Sequence, residues 1–332
     1  MNPFQYVTAS SPDEAVSLIG QNGRYLGGGI DLLDEMKEYI VSPDVVVALK
    51  TPDRPDKVRP AVQLSYGGPV PPNSVWIDFN ITMAELALHP EIQSQFPALS
   101  QAASEVGSPQ IRNVATLAGN LLQHSRCWYY RQPDIVCLKR GGTTCYGQDG
   151  ENKYLSLFSG CACISPLVSN TAVALAALDA VPYFKSDLAK TQRYTMPGFY
   201  HEAWKTPAAH HSVLPPDAFL VGVTIPPTRT RSAYRQVSEK NEFDWALVSC
   251  AAAGNVTGGK ITDARVVLGA VAPVPYMVHA AHHYLEGKEL TDEHASKAAD
   301  LILKDAKPLA QNGYKVPLAH ALIRRTLLAL NP

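Results

Sequence analysis

Five of the six cysteines, Cys127, Cys137, Cys145, Cys161 and Cys163, fall within 37 consecutive residues, and Cys250 stands apart. Thiols crowded into one segment imply a bound metal or cluster, a disulfide staple, or a nest of buried sulfurs. A staple is poorly motivated here, because 332 residues with 46% hydrophobic content can fill large cores without one. Nine, seven and seventeen residues separate Cys127, Cys137, Cys145 and Cys163 in turn, enough chain to wrap a metal centre. Four thiolates suit a [4Fe-4S] cluster or a tetrahedral zinc. The spacing chooses neither: no C-x2-C pair is present, and Cys161-Ala162-Cys163 leaves the fourth ligand ambiguous.

Charge narrows the function further. With 29 Lys+Arg against 30 Asp+Glu, the chain carries no surplus charge for gripping nucleic acid or anionic lipid. No apolar run approaches the roughly 20 residues that cross a bilayer, so a soluble globular protein is expected. The opening Met1-Asn2-Pro3-Phe4-Gln5-Tyr6 has neither the basic start nor the apolar core of an export signal, which predicts synthesis in the cytoplasm. A folded complex can still leave on a partner's twin-arginine signal.

The length predicts two or three packed units. Arg24-Tyr25-Leu26, the glycines Gly27 to Gly29, a helix over Asp31 to Tyr39 and the strand Pro43 to Leu49 make a small strand-loop-helix-strand lobe, residues 1–55. Thr51 to Pro72 carries six prolines and reads as an irregular connection. A second lobe, 56–228, opens on the strand Val75 to Phe79 and continues through helices at Met83 to Leu88 and Ala98 to Val106. It includes the cysteine loop, about 124–163, an alanine-rich helix from Asn170 to Ala180, and a strand from Phe219. The remainder, 229–332, reads as a separate α+β unit of strands at Ala233 to Val237, Ala246 to Gly254 and Ile261 to Leu268, then two amphipathic helices.

Three features carry candidate chemistry. Gly27-Gly28-Gly29-Ile30-Asp31 offers backbone amides unobstructed by Cβ, as a pyrophosphate requires, although a plain turn uses glycines equally well. Thr116-Leu117-Ala118-Gly119-Asn120 combines small residues with hydrogen-bonding side chains, and it too reads as a turn when taken alone. The cysteine set is the third. His201, His210, His211, His279, His282 and His283 have no acidic partner at metal-ligand spacing and read as surface or capping residues. No G-x-S-x-G, H-E-x-x-H or G-x-x-x-x-G-K-[ST] occurs.

In this order the elements resemble the FAD-binding subunit of the molybdenum hydroxylases, the group of xanthine dehydrogenase, carbon monoxide dehydrogenase and the aldehyde oxidoreductases, over nearly the entire chain. Leu26-Gly27-Gly28-Gly29-Ile30-Asp31-Leu32-Leu33 is similar to the first FAD motif, A-G-G-T-D-L-L, with Ile30 where Thr is usual. Gln110 to Asn120 is similar to the second motif, R-N-x-A-T-I-G-G-N, and Leu268 to Pro275 to L-G-G-V-A-P-x-P. Asn312 to Val316 with Arg324-Arg325 resembles the last helix region. The cysteine loop resembles that of the subgroup with an additional [4Fe-4S] cluster, which includes 4-hydroxybenzoyl-CoA reductase.

The resemblance implies an α+β fold: a two-lobed FAD-binding domain of the PCMH/vanillyl-alcohol-oxidase type, then a C-terminal α+β domain. It also implies the FAD-binding electron-transfer subunit of a heterotrimeric molybdenum-containing aldehyde oxidoreductase. Partners would be a large molybdopterin-binding subunit and a small subunit with two [2Fe-2S] clusters. Leu26, Gly27, Gly28, Gly29, Ile30, Asp31, Leu32, Thr116, Gly119, Asn120, Asn170, Leu220 and Gln236 would contact or neighbour FAD. Cys127, Cys137, Cys145 and Cys163 would hold the cluster, leaving Cys161 spare. Asn170 stands where the family has Asp, and Gln236 where it has Lys. Three alternatives stay open: the flavin subunit of a hydroxybenzoyl-CoA-reductase-like complex, a zinc-braced non-catalytic assembly subunit, and a self-contained flavin oxidase.

Overall fold

The computed structural model describes residues 1–49, 56–61, 70–187, 190–207, 212, 214, 215 and 217–331. The chain opens with β1 (Gln5–Ala9), α1 (Pro12–Leu18), β2 (Gly23–Leu26), α2 (Leu32–Lys37) and β3 (Val45–Leu49). These three strands form a parallel sheet in the order β1-β3-β2. Parallel neighbours need crossovers, and the two helices supply them. Val45-Val46-Val47-Ala48-Leu49 takes the centre, where β-branched residues fit a strand enclosed on both faces. Ser11 starts α1 by accepting the Glu14 N–H at 3.2 Å, ahead of Pro12 in the first turn.

The second unit contains β4 (Val58–Pro60), β5 (Val75–Asp78), α3 (Met83–Leu88), α4 (Pro90–Gln95), α5 (Pro97–Ser104), α6 (Pro109–Arg112), α7 (Leu117–Leu121), α8 (Asn170–Ala177), β6 (Val181–Asp187), β7 (Lys190–Arg193), α9 (Met196–Lys205) and β8 (Phe219–Ile225). Its strands make an antiparallel sheet in the order β4-β5-β8-β6-β7. The proline-rich connection expected over 51–72 therefore contributes one strand, β4, while residues 51–55 and 62–69 lie outside the described set. Every residue of α8 is buried, because its alanines let the helix approach its neighbours closely.

The third unit is β9 (Arg231–Val237), β10 (Val248–Thr257), β11 (Lys260–Gly269), α10 (His279–Leu285), α11 (Asp292–Leu303) and α12 (Lys315–Leu328). The strands form an antiparallel sheet in the order β11-β10-β9, and residues of the three helices join its strands in one core. Gly258 and Gly259, at φ +58° and +79°, make the two-residue turn that joins β10 to β11. One expectation is corrected here. His282 is no surface residue: it is buried against β11, where its Nε2 lies 3.1 Å from the Val266 N–H. Burial pushes its pKa down to about 4, keeping the ring neutral.

Arg229 bolts the second unit to the third. Its guanidinium lies 2.6 Å from Asp179, just beyond α8, and 3.1 Å from Asp263 on β11, while its Nε donates to the Asp263 carbonyl. The Arg229 side chain is 1% exposed and the two carboxylates are nearly half exposed. Removing the buried cation leaves the two acids to Arg265 alone, 3.6 Å from Asp179 and 3.1 Å from Asp263, with water relieving part of the cost. Arg229→Met is expected to lose about 2 kcal/mol of stability, read as a drop of several degrees in the melting temperature. An unchanged melting curve would refute this. Among the described residues, no helix is long and apolar enough to cross a membrane.

Candidate functional site

The glycine loop meets the Thr116 segment edge to edge. A Cβ on Gly27 would lie 2.8 Å from Thr116 Oγ1, and one on Gly28 only 1.9 Å from the Val114 carbonyl oxygen. Gly29 sits at φ +78°, in the left-handed region. The N–H groups of Gly28, Gly29 and Ile30 find no acceptor among the described residues. Unspent main-chain donors on a side-chain-free loop match an anionic group such as a pyrophosphate. Leu26 ends β2 before this loop, Ile30 is 40% exposed, and Leu32 starts α2.

The Thr116 segment is tied by its backbone to residues 79–83, through Leu117 N–H to the Ile81 carbonyl and Ala118 N–H to the Phe79 carbonyl, and by its side chains to itself and to α8. Thr116 Oγ1 accepts the Gly119 N–H at 3.1 Å, capping α7. Asn120 is buried, and its Oδ1 accepts from Ser169 Oγ at 2.8 Å and Thr171 Oγ1 at 2.6 Å. It therefore fixes the start of α8 and, with it, Asn170. Asn170 Nδ2 donates to Gln236 Oε1 at 2.6 Å, and Tyr234 OH donates to the same oxygen at 3.0 Å. The two positions at which the resemblance implies Asp and Lys thus touch, across the junction of α8 and β9. Leu220, on β8, is buried in the largest core.

Cys127, Cys137, Cys145 and Cys163 line one cavity, while Cys161 turns toward Ser159, its Sγ 3.8 Å from Ser159 Oγ. Cys250 is buried on β10, away from this group. Burial pushes the Cys127 thiol up to about 12 and raises that of Cys163. A bound metal centre reverses this by supplying the positive charge that thiolates need. Lys139, 7% exposed, lines the same cavity, and a buried cation there offsets thiolate charge.

Glu35, His124, Arg126, Tyr130 and Arg131, not anticipated from sequence, join the two regions around Asp31, which was. Asp31 accepts the His124 N–H at 2.7 Å and pairs with Arg131 at 2.6 Å and Arg126 at 2.8 Å. Burial alone would raise the Asp31 pKa, but Arg126, Arg131 and His124 hold it below the usual carboxylate value. Glu35, one turn further along α2, lies 2.9 Å from His124 Nδ1 and accepts from Tyr130 OH at 2.9 Å. The only legible signal was the acidic face Asp31, Asp34 and Glu35 on one helix and the Arg126/Arg131 pair around Cys127.

A family model described as the FAD binding domain in molybdopterin dehydrogenase matches residues 2–228, and one described as the CO dehydrogenase flavoprotein C-terminal domain matches residues 232–330. The chain belongs to the FAD-binding subunits of the molybdenum hydroxylases. Among members of this family, it is 32% identical over 336 residues to the aldehyde oxidoreductase FAD-binding subunit PaoB of Escherichia coli (strain K12), covering 99% of this chain and 98% of that one. It is 24% identical to the carbon monoxide dehydrogenase medium chain of Hydrogenophaga pseudoflava, over 98% and 96% of the two chains. Among solved structures, carbon monoxide dehydrogenase from Hydrogenophaga pseudoflava superposes with a TM-score of 0.73 at 22% identity, covering 99% of this chain and 97% of that one. Quinoline 2-oxidoreductase from Pseudomonas putida 86 gives 0.73 at 20% identity over the same shares. Both share the fold. Among the described residues, the amides of Gly28 to Ile30 are free to meet an anionic group such as a dinucleotide's phosphates, and a Cβ on Gly28 would break that loop's seat.

Proposed function

We propose that the chain is the electron-transfer FAD subunit of an aldehyde-oxidising molybdenum hydroxylase, and that its four-cysteine cavity holds an additional [4Fe-4S] cluster. The observation that carries this is the pairing, in one chain, of a glycine loop whose amides are unspent among the described residues and a cavity lined by four cysteines. The aldehyde assignment is supported by the relative that matches at 32% identity over nearly both full lengths. When bound, FAD supplies the redox chemistry, accepting electrons that originate at a partner's molybdenum centre and passing them to an external acceptor. The chain's own residues bind and orient: Gly28 to Ile30 hold the phosphates, the Thr116 segment forms the adjoining wall, and Asn170 with Gln236 fixes the junction of α8 and β9. A large molybdopterin subunit and a small [2Fe-2S] subunit would deliver the electrons.

A zinc brace fits the cavity less well. Zinc at about 2.3 Å from four sulfurs draws them to within roughly 4 Å of one another. Among the described residues, the only trio of candidate ligand atoms within 4.8 Å of one another is Asp31, Glu35 and His124. A larger inorganic core suits the wider cysteine set. The test is a visible spectrum with flavin, iron and zinc analysis of the purified chain: flavin bands over a broad iron-sulfur shoulder, with about four irons per chain, are expected. A colourless protein holding only zinc would overturn the reading. Turnover of an aldehyde by the isolated chain would favour the self-contained oxidase.

A further inference from the structure

The carboxylates of α2 and the segment that carries Cys127 are bound to each other on both sides of that cysteine. On one side, Asp31 and Glu35 meet His124 and Arg126; on the other, they meet Tyr130 and Arg131. Glu35 is 1% exposed, so its contacts operate where water screens little. Ser125 extends the link: its Oγ accepts the Cys127 N–H at 3.1 Å and bonds Ser165 Oγ, two residues beyond Cys163. Arg131 Nε also donates to the Ser125 carbonyl at 2.7 Å. One continuous network therefore runs from the end of the glycine loop to two of the four cavity cysteines.

Asp31, Glu35 and His124 could be taken for a cation site, since their ligand atoms lie within 4.8 Å of one another. Arg126 and Arg131 both pair with Asp31, and Arg131 also reaches Glu35 at 3.7 Å, so the charge there is already countered and little attraction for a cation is left. The arrangement works as a joint.

We propose that this ionic joint couples the two cofactor sites, so that filling the cysteine cavity tightens FAD binding at the glycine loop, and the reverse. The proposal rests on the flavin-and-cluster reading above. A filled cavity fixes Cys127 and therefore the flanking His124, Arg126, Tyr130 and Arg131. These in turn fix Asp31 and Glu35, which set the loop's exit into α2. An emptied cavity frees residues 124–131 and, through them, the loop. Coupling of this kind is reciprocal by thermodynamic necessity.

The test is a double-mutant cycle on the full chain, with FAD affinity read from flavin fluorescence and iron measured in parallel. Cys127→Ser and Arg131→Met are each expected to weaken FAD binding about tenfold. The double variant should be no weaker than the weaker single, because both act through one joint. Arg131→Lys, which keeps charge but loses the fork, should recover part of the affinity. Should Arg131→Met fail to fold, Tyr130→Phe removes one hydrogen bond to Glu35 without changing volume and takes its place in the cycle. FAD affinity unchanged in an iron-free Cys127→Ser chain, or losses that multiply in the double variant, would overturn the coupling. Wild-type protein lacking flavin or iron would instead overturn the underlying reading, and the coupling with it.

Discussion

Gly28→Ala is expected to yield a chain that binds flavin much more weakly. The added Cβ would lie 1.9 Å from the Val114 carbonyl oxygen, 2.6 Å from its carbon and 3.0 Å from Ala115 Cα. All three are backbone atoms, so no side chain can swing aside. Either the glycine loop lifts from the 114–119 segment or that segment shifts and drags α7 with it. Overpacking of this severity costs about 3 kcal/mol, and it falls on the surface that brings the amides of Gly28 to Ile30 to the ligand. Flavin affinity should drop by at least about tenfold, with a melting temperature lowered by several degrees. Gly27→Ala is the milder comparison, because its nearest obstacle is the Thr116 hydroxyl at 2.8 Å, a side-chain atom. Full flavin content in purified Gly28→Ala would show that the loop does not seat the cofactor.

Cys127→Ser should take iron from about four per chain to nearly none. The residue faces the cavity with Cys137, Cys145 and Cys163, and the loss of one thiolate of four leaves a cluster corner without its ligand. Cys161→Ser is the internal control. Cys161 does not line the cavity and its sulfur lies near Ser159, so its removal should leave iron content unchanged. Iron retained in Cys127→Ser, or lost in Cys161→Ser, would move the ligation to a different set.

The glycine loop, the alanine-rich helix and the cysteine loop were legible because each announces itself locally. Three successive glycines between a strand and a helix mark a turn or a place of close backbone approach, and four alanines in eight residues mark a helix that can be buried on every side. The ionic joint was not legible in the same way. Asp31 and Arg131 are 100 positions apart, and charge patterns on two segments do not reveal that the fold sets them 2.6 Å apart. His282 was misjudged because a helix start usually faces water, whereas this one packs onto β11. The strand β4 was hidden by prolines, and Pro60 is tolerated at its end because β4 is the edge of the sheet. Asn170 and Gln236 were noticed separately; only the structure shows that one is the other's partner.

That last contact has a consequence for solution behaviour. Where the resemblance implies an acid and an amine, this chain sets two carboxamides, which neither gain nor lose protons across the range in which proteins stay folded. Their bond draws nothing from net charge, so counterions cannot weaken it as they weaken an exposed ion pair. The seam between helix α8 and strand β9 is thereby indifferent at this point to acidity and ionic strength.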